Sequence, residues 1–249
     1  MPPLWIIADV PNLTHINYHG RAGRDARRAF LLTVRAIQTL ANEHSSPNHI
    51  VWCFDRPPYL RNSLLETYKS NRDPDCPIRP VLASGAERML RAKFPNVRVT
   101  PGIEADDHIC AVVDSLSPQT SVLVVSRDRD LHQILAPNVQ IYDPVEHKTF
   151  TARDFRLEWD VHPTQWVEAK SLAGDATDQI PGITGVGLKT AARYLSGQMN
   201  RLLPAYIRCQ EFQGTDEYLR NLILTRLPFA GTPAYAPQPG ECPPIADLE

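Results

Sequence analysis

The sequence predicts an α/β protein with a central, mostly parallel sheet flanked by helices and followed by a smaller helical region. The first observation is that short apolar runs rich in β-branched residues alternate with helix-length segments, as in parallel sheets covered on both faces. The second is that strand patterns stop near residue 150, after which short helical segments continue to about residue 225. The third is the length of 249 residues, which is enough for one large domain with an appendage.

Individual elements follow from the same patterns. The predicted strands are the apolar runs at 4–8, 50–54, 97–99, 121–126 and 139–142. Helical periodicity predicts helices over 26–42, 84–94 and 105–116. We therefore expect an α/β core over residues 1–150 and a helical subdomain over 151–225. The proline-rich stretch 226–249 is expected to be an extended or disordered tail with no packed core of its own.

Composition excludes several classes of protein. Hydrophobic residues make up 43% of the chain and charged residues 22%, as in ordinary globular proteins. No apolar run approaches the ~20 residues of a membrane-spanning helix, and the first residues, MPPLWIIADV, lack the basic segment of a signal peptide. The 5 cysteines are scattered and never spaced as C-x-x-C, which favours reduced thiols in a cytoplasmic protein over a disulfide framework or a zinc site.

Acidic residues follow the carboxyl ends of the predicted strands. Asp9 follows the first strand, Asp55 the second, and Asp128 and Asp130 the run at 121–126. A lone acid after a strand usually caps a helix or fills a turn, but the carboxyl ends of parallel strands share one edge of the sheet, where ligands bind. The acids expected to join them, from a loop-to-helix junction and from the helical region, are Glu104, Asp106, Asp107, Asp175 and Asp178.

So many carboxylates at one edge of a sheet need cations. Two carboxylates ~5 Å apart repel each other by roughly 3 kcal/mol even at an effective dielectric constant near 20. Oxygen ligands without His or Cys suit Mg²⁺, for which Mn²⁺ can substitute. Two such ions ~4 Å apart can clamp the attacking and leaving oxygens of a phosphodiester. The acids therefore predict a two-metal phosphodiesterase.

The net charge of −2 would ordinarily argue against a protein that binds nucleic acid. Nine of the 28 acids are assigned to the metal site, so the 26 lysines and arginines face only 19 other acids. A basic binding surface is therefore compatible with the mildly acidic total.

Six motifs occur in one order along the chain. They are D-x-x-N at Asp9–Asn12, FD at Phe54–Asp55, YKSNR at 68–72, EADD at 104–107, the D-x-D of SRDRDL, and GDATDQIPGITGVGLKTA from residue 174. In order and spacing they resemble the 5′→3′ exonuclease and flap endonuclease family, which includes the N-terminal nuclease domain of bacterial DNA polymerase I. The resemblance runs from about Leu4 to Leu195 and implies a PIN-like or Rossmann-like core with a helix–three-turn–helix DNA-binding subdomain.

The resemblance implies roles for the motif residues. The metal ligands would be Asp9, Asp55, Glu104, Asp106, Asp128, Asp130 and Asp175, with Asp107 and Asp178 in or near the shell of the second metal. Lys69 and Arg72 would contact the scissile phosphate, and Tyr68 would stack on a terminal base. Residues 68–103 would contain a helical arch through which a 5′ strand passes. Its positive charge would come from Arg61, Arg79, Arg88, Arg91 and Lys93.

The segment 174–195 is expected to be a helix-hairpin-helix that holds a DNA duplex. Gly182, Gly185 and Gly187 would let backbone N–H groups approach a phosphate. Lys189 and Thr190 would add a charge and a hydroxyl at the start of the following helix. In the family this hairpin often also holds a K⁺ ion through backbone carbonyls.

The expected partner is DNA with a 5′ flap, branch or nick, bound by a monomer, and the sequence leaves RNA–DNA hybrids open as substrates. Two alternatives remain at this stage: a DNA-structure binder that has lost its chemistry, and a ribonuclease of the PIN type. The sequence retains every acid and Lys69, which disfavours the first, and it contains the hairpin, which disfavours the second. It departs from the family at Ile16, where an arginine is common.

Overall fold

A six-stranded sheet forms the centre of the protein in the computed structural model, which describes residues 4–44, 49–236 and 248. The strand order is β3-β2-β1-β4-β5-β6. The strands are β1 Trp5–Asp9, β2 Ile50–Cys53, β3 Val97–Arg98, β4 Val122–Val125, β5 Val139–Asp143 and β6 Lys148–Phe150. The first five strands pair in parallel, and β6 runs antiparallel to β5. The predicted mostly parallel sheet is confirmed.

Helices cover both faces of this sheet. They are α1 Val10–His19, α2 Ala26–His44, α3 Ile78–Arg91, α4 Ala105–Ser115, α5 Ala152–Trp159, α6 Trp166–Ala173, α7 Leu188–Leu195, α8 Pro204–Phe212 and α9 Asp216–Thr225. Neighbouring residues of one strand enter opposite clusters: Ile6 packs with α1, α2 and α3, whereas Ile7 packs with α4 to α7. Burial on both faces explains why the strands are almost continuously apolar.

Two elements were not predicted from the sequence. Helix α1 follows β1 without a linker, and its first turn is capped by Asp9, whose Oδ1 accepts a hydrogen bond from the Asn12 amide at 3.1 Å. Its residues are too mixed in polarity to give a clear helical period. Strand β6 has only three residues, which are exposed or half-buried, so it lacks the alternation that identifies a strand.

The expected arch over residues 68–103 is corrected in its second half. Helix α3 buries Ile78, Leu82 and Met89 in the core cluster on its face of the sheet, and β3 pairs with β2. A Cβ on Gly85 would lie 2.7 Å from the Phe30 ring, so α3 and α2 are in close contact. Residues 78–98 therefore belong to the core. The first part of the expected arch, residues 68–77, precedes α3 and lies outside the helices and strands of the core.

The helical half of the chain shares its core with the sheet. Phe155 of α5 and Trp166 of α6 are fully buried in the same cluster as Val124 and Ile141. Residues 151–225 contain the expected helices α5 to α9, but one continuous apolar cluster joins them to the α/β part. The helical region is therefore an extension of the core and not a separate packing unit.

The expected free tail is also corrected, in the part that the structure describes. Phe229 and Tyr235 are 8% and 7% exposed, and each ring lies against an arginine, Arg61 and Arg98 respectively. The predicted tail residues 237–247 and 249 lie outside the described residues. Of the helices in the described ranges, none combines the length and the apolar character that a membrane span requires.

Candidate functional site

The sheet topology creates a crevice at the carboxyl end of β1. Strand β1 lies between β2 and β4. From β1 the chain first continues to β2 and β3 on one side of the sheet, and then crosses over to β4 on the other side. Ligands of open parallel sheets bind at such switch points. Asp9 ends β1, Asp55 follows β2 and Asp128 follows β4, so the sheet brings these acids to the same edge.

Three acids at this edge have no basic partner; we call Asp9, Asp106 and Asp128 the Asp9 group. Among the residues that the structure describes, no lysine or arginine nitrogen lies within 4.0 Å of their oxygens. Burial raises the pKa of Asp9 to about 7, assisted by the charges of Asp128 and Asp55. Burial also raises the pKa of Asp106 well above its ordinary value, with help from Asp128 and Asp9. In the absence of a cation, Asp9 and Asp106 therefore keep their protons to a higher pH than ordinary aspartates do.

Asp55 and Glu104 adjoin this group. Asp55 accepts hydrogen bonds from the Ala105 amide at 2.7 Å and the Tyr59 hydroxyl at 3.3 Å, and burial together with the charge of Glu104 raises its pKa. Glu104 is 3% exposed and is paired with Lys69. Burial alone would raise the pKa of Glu104, but the positive charges of Lys69 and Arg61 hold it below its ordinary value.

A second set of acids joins Asp130, which follows β4, to two acids of the helical half; we call Asp130, Asp175 and Asp178 the Asp175 group. One oxygen from each lies within 4.8 Å of the others. Unlike the Asp9 group, these acids have basic partners. Lys170 Nζ donates to Asp130 and, at 2.7 Å, to Asp175 Oδ2. Burial raises the pKa of Asp130; it would also raise that of Asp175, but Lys170 holds the Asp175 pKa below its ordinary value.

Lys170 was missed by the sequence reasoning. It lies in α6, where Trp166, Ala169, Ser171 and Leu172 are also buried, and its side chain is 6% exposed. A lysine in the middle of a short helix is normally a surface residue. The available signal was its place among small and apolar residues just before the GDATD motif.

The ligand types of the Asp9 group and Glu104 suit a hard divalent cation. Glu104 Oε1 is buried and accepts no hydrogen bond in the described structure. A buried acceptor of this kind is costly unless a cation or a water satisfies it. Every donor is a carboxylate oxygen, which is the ligand type that Mg²⁺ and Mn²⁺ prefer.

The YKSNR segment is a series of turns and not a helix. Lys69 has a left-handed φ of 54°, which places its amide on the Asp178 carbonyl at 3.1 Å. Both basic side chains nevertheless converge, because Lys69 Nζ lies 3.6 Å and an Arg72 guanidinium nitrogen 3.2 Å from Asp178. Burial raises the pKa of Asp178, an effect that these two cations oppose.

Tyr68 is not placed to stack on a base. It is 4% exposed, packs against Ile180 and Leu224, and its hydroxyl lies 3.3 Å from both Glu104 and Asp178. The expectation that Tyr68 presents its ring to DNA is corrected for this conformation, since the ring is enclosed. The neighbouring Tyr59 is only half-buried, so it is the more accessible aromatic ring at the site.

Asp107 does not belong to either group of acids. Arg61 binds both of its oxygens, at 2.6 and 2.8 Å, and the amides of Phe229 and Glu104 donate to them at 2.7 and 3.3 Å. Because its acceptor positions are taken, the prediction of Asp107 as a metal ligand is corrected. Arg61, which was expected to charge the arch, is 2% exposed and serves this buried pair.

The three hairpin glycines have different surroundings. A Cβ on Gly182 would lie 2.2 Å from the Ala173 carbonyl carbon, so this glycine permits contact between two backbone segments. Gly185 has a φ of 76°, and a Cβ there would meet only Arg208, at 3.8 Å. Gly187 has nothing within 4 Å of a Cβ. The expected role in approaching phosphate fits Gly185 and Gly187, whereas Gly182 is required by packing.

The basic side chains of the hairpin lie on the surface at the start of α7. Lys189 is exposed; its Nζ donates to the Glu158 carbonyl at 2.8 Å and lies 4.0 Å from the Trp159 ring centroid. Thr190 is half-buried one residue later. Arg208 is exposed beside Gly185 and was not predicted from the sequence. Lys189 of the hairpin and Arg208 of α8 therefore place two exposed cations near the open glycines.

Comparison with known proteins identifies relatives of this chain. It matches the family described as "5′-3′ exonuclease, N-terminal resolvase-like domain" over residues 5–160. It is 31% identical to DNA polymerase I of Rhizobium leguminosarum, covering 73% of this chain and 18% of the polymerase. It is 30% identical to the 5′-3′ exonuclease of Bacillus subtilis, covering 74% of this chain and 59% of the relative. It is also 30% identical to flap endonuclease Xni of Vibrio cholerae, covering 73% and 71% respectively.

Solved structures with a similar fold include T5 5′-exonuclease with bound zinc, at a TM-score of 0.72 and 22% identity over 90% of each chain. Another is the catalytic core of Rad2 in complex with a DNA substrate, at a TM-score of 0.54 and 12% identity over 97% of this chain and 82% of that one. The predicted fold class and the resemblance stated from the sequence motifs are both confirmed.

Proposed function

Because the chain belongs to the family of 5′-3′ exonuclease N-terminal resolvase-like domains, we propose that it is a Mg²⁺-dependent, structure-specific 5′→3′ exonuclease and 5′-flap endonuclease. It would hydrolyse phosphodiester bonds in branched, nicked or 5′-ended DNA. The supporting observation is the Asp9 group: three carboxylates that lack a basic partner in the described structure, adjacent to the paired Lys69 and Glu104. A cation site beside fixed positive charge is an arrangement that can catalyse phosphodiester hydrolysis.

The Asp9 group, with Asp55 and Glu104, would hold Mg²⁺, and Mn²⁺ would substitute for it. A bound divalent ion would polarise the phosphate and lower the pKa of a bound water. The sequence predicts a second ion at the Asp175 group. There the Lys170 ammonium already contacts Asp130 and Asp175, so a second Mg²⁺ would require that side chain to withdraw.

Lys69 and Arg72 are proposed to bind the scissile phosphate. In the absence of DNA, Lys69 forms an ion pair with Glu104 and Arg72 forms one with Asp178. A phosphate at the site can compete for the same donors, since both side chains keep several N–H groups. Their carboxylate partners would therefore position them and keep them charged until DNA binds.

The hairpin is proposed to bind the duplex away from the cleaved bond. Gly185 and Gly187 leave their backbone open, and Lys189 and Arg208 add charge. Contacts of this kind bind the DNA backbone without reading its sequence. A K⁺ ion on the hairpin carbonyls is part of the same proposal.

Three further features belong to this proposal. The substrate range would include RNA–DNA hybrids. The protein would act as a monomer, and its compartment would be the cytoplasm. The last point is supported by the cysteines that the structure describes, Cys53, Cys76, Cys110 and Cys209, all of which are free thiols.

The test uses a duplex with a 5′ flap, labelled separately at the two ends of the flap strand. It is incubated with Mg²⁺, with Mn²⁺ and with EDTA, and a duplex with an RNA flap is treated in parallel. The same substrates are given to the variant Asp128→Asn, which removes one negative charge from the Asp9 group. Its side-chain oxygen can still accept the hydrogen bond from the backbone amide of Asp130. We expect it to bind DNA but to cleave at least about 100-fold more slowly, because a ligand charge is lost.

Release of short 5′ products or of the whole flap, only with a divalent ion, would support the proposal. Tight binding without cleavage in both metals would overturn it and favour a protein that only recognises DNA structure. If the 5′ label stayed on a long product while the strand was shortened from its 3′ end, the proposed 5′→3′ polarity would be contradicted.

A further inference from the structure

The Lys170 ammonium lies inside the Asp175 group. Its Nζ donates to Asp130 and to Asp175 Oδ2, and one oxygen of Asp178 lies within 4.8 Å of both acids. Oxygens grouped at this spacing could surround a single ion. In this chain an ammonium that belongs to the protein contacts two of the three.

Lys170 and a divalent ion would exclude each other at this position. Magnesium binds oxygens at about 2.0–2.1 Å, and the ammonium contacts the same carboxylates. Two positive centres sharing one pair of carboxylates would repel each other strongly, because the site is partly withdrawn from water. One of the two cations must therefore be absent.

The surroundings of Lys170 favour the ammonium as the permanent occupant. Its helix, α6, is fixed in the core by Trp166 and Leu172, which are both 0% exposed. Helix α6 ends at Ala173, and the amide of the C-cap residue Gly174 donates to the Lys170 carbonyl at 2.8 Å, so the Lys170 backbone is fixed in the last turn of the helix. A buried ammonium is tolerated only while it is paired, so Asp130 and Asp175 are the groups that make its burial acceptable.

The Asp9 group differs in this respect. In the part of the chain with described coordinates, Asp9, Asp106 and Asp128 have no lysine or arginine within ion-pair distance. Lys170 thus contacts two of the three acids of the Asp175 group directly, whereas the cation beside the Asp9 group, Lys69, is paired with the adjoining Glu104.

We propose that Lys170 supplies the second positive charge of the site, so that the chain binds one divalent cation, at the Asp9 group, where the sequence predicts two. The proposal rests on the proposed function for its meaning in catalysis. Lys170 would offset the negative charges of Asp130 and Asp175 close to the substrate phosphate without a second metal. It would act as a positioning residue.

The proposal is tested by counting bound metal ions without DNA. Metal-free protein is titrated with Mn²⁺, and the free ion is measured by its electron paramagnetic resonance signal. We expect one site in the native protein and two in Lys170→Met, which removes the charge and nearly conserves the volume. Lys170→Arg keeps the charge and should bind one ion. Lys148→Met is the matched control, because Lys148 is 77% exposed and its ion pair with Glu146 lies on the surface. This variant should also bind one ion.

Two ions in the native protein, or none, would overturn the proposal, and so would a single ion in folded Lys170→Met. Circular dichroism establishes whether that variant folds. If it does not, the ¹⁵N signal of the Lys170 amine is measured in the native protein with saturating Mg²⁺. A Lys170 amine that begins to exchange protons with solvent would overturn the proposal. An amine that stays protected from exchange would support it. Since neither readout involves cleavage, a protein that fails as a nuclease still gives a metal count.

Discussion

Arg61 and Asp107 form a bidentate ion pair, with distances of 2.6 and 2.8 Å, between side chains that are 2% and 0% exposed. Arg61 lies in the segment after β2, and Asp107 lies in the first turn of α4. Asp107 also accepts the amide of Phe229, so three distant parts of the chain meet at one carboxylate. The pair holds the YKSNR segment next to the acids that α4 contributes.

Arg61→Met is expected to destabilise the protein strongly, because it leaves Asp107 buried without its counter-ion. Breaking a buried pair on one side costs about 3–5 kcal/mol, which corresponds to a fall in Tm of roughly 6–20 °C for a chain of this size. The measurement is thermal unfolding. The double variant Arg61→Met/Asp107→Asn removes both charges and keeps an acceptor for Phe229, so it should recover part of the loss. A single variant that melts within about 2 °C of the native protein would contradict the role of the pair.

Lys69→Met should reduce the rate of cleavage by roughly 10²–10³-fold, the range for the loss of one donor to a developing negative charge. Binding of the flap duplex should weaken much less, because the hairpin contacts remain. Single-turnover rates and Kd are measured for the same substrate. Lys148→Met removes an exposed lysine of the same length and serves as the control. An equal loss in binding and in rate would show that Lys69 only anchors DNA.

Gly182→Ala and Gly187→Ala should have opposite effects. At Gly182 the new Cβ would lie 2.2 Å from the Ala173 backbone, so the variant should lose stability by several degrees in Tm or fail to fold. At Gly187 a Cβ meets no atom within 4 Å and φ is −94°, so the fold should be unchanged while duplex binding weakens. Unfolding and binding are measured for both. Native affinity in Gly187→Ala would remove this glycine from the DNA surface.

The metal-free protein should lose stability as the pH rises from about 4 to about 7. Burial, followed by the charges of Asp128 and Asp55, raises the pKa of Asp9 from 3.8 to about 7. The folded state therefore holds this proton more tightly than the unfolded state, so the contribution is complete below pH 3.8 and is lost as the pH passes through about 7. One such group changes the free energy of unfolding by at most about 1.4 kcal/mol per pH unit.

Urea unfolding in EDTA at several pH values measures this slope. The Asp9→Asn side chain cannot titrate. This variant should therefore show a smaller change in the free energy of unfolding per pH unit, by the contribution of one carboxyl group. The comparison is needed because other acids also titrate: burial raises the pKa of Asp55 in the same direction, whereas Lys69 lowers that of Glu104 against the effect of burial. Identical slopes in the two proteins would show that Asp9 does not hold its proton in the folded state.

The sequence predicted those parts of the site that depend on local pattern. Asp9, Asp55 and Asp128 lie at one edge because each follows a strand of a parallel sheet, and strands are recognisable from short apolar runs. The strand order β2-β1-β4 then makes these three acids neighbours along that edge. The motifs around Lys69 and Asp175 added the basic side chains and the hairpin.

Other parts depended on tertiary contacts that no local pattern carries. Asp106 and Asp107 are adjacent in the same first turn, yet Arg61, 46 residues away, takes only the second. Gly182 and Gly187 look alike in sequence, and only the packed backbone of Ala173 distinguishes them. Lys170 and Tyr68 are amphipathic residues whose burial depends on what faces them, so the sequence alone indicated neither the internal ammonium nor the enclosed ring.

The apolar cluster shared by sheet and helices has a consequence for synthesis on the ribosome. The last strand is complete at residue 150, but one face of the sheet is covered only when α6 and α7 have emerged, at residue 195. At about 5–20 residues per second, the nascent chain would expose that face for roughly 2–9 s. Asp175 emerges within this interval, after Asp9 and Asp128, so a stalled or truncated chain would expose an aggregation-prone sheet before its site was complete.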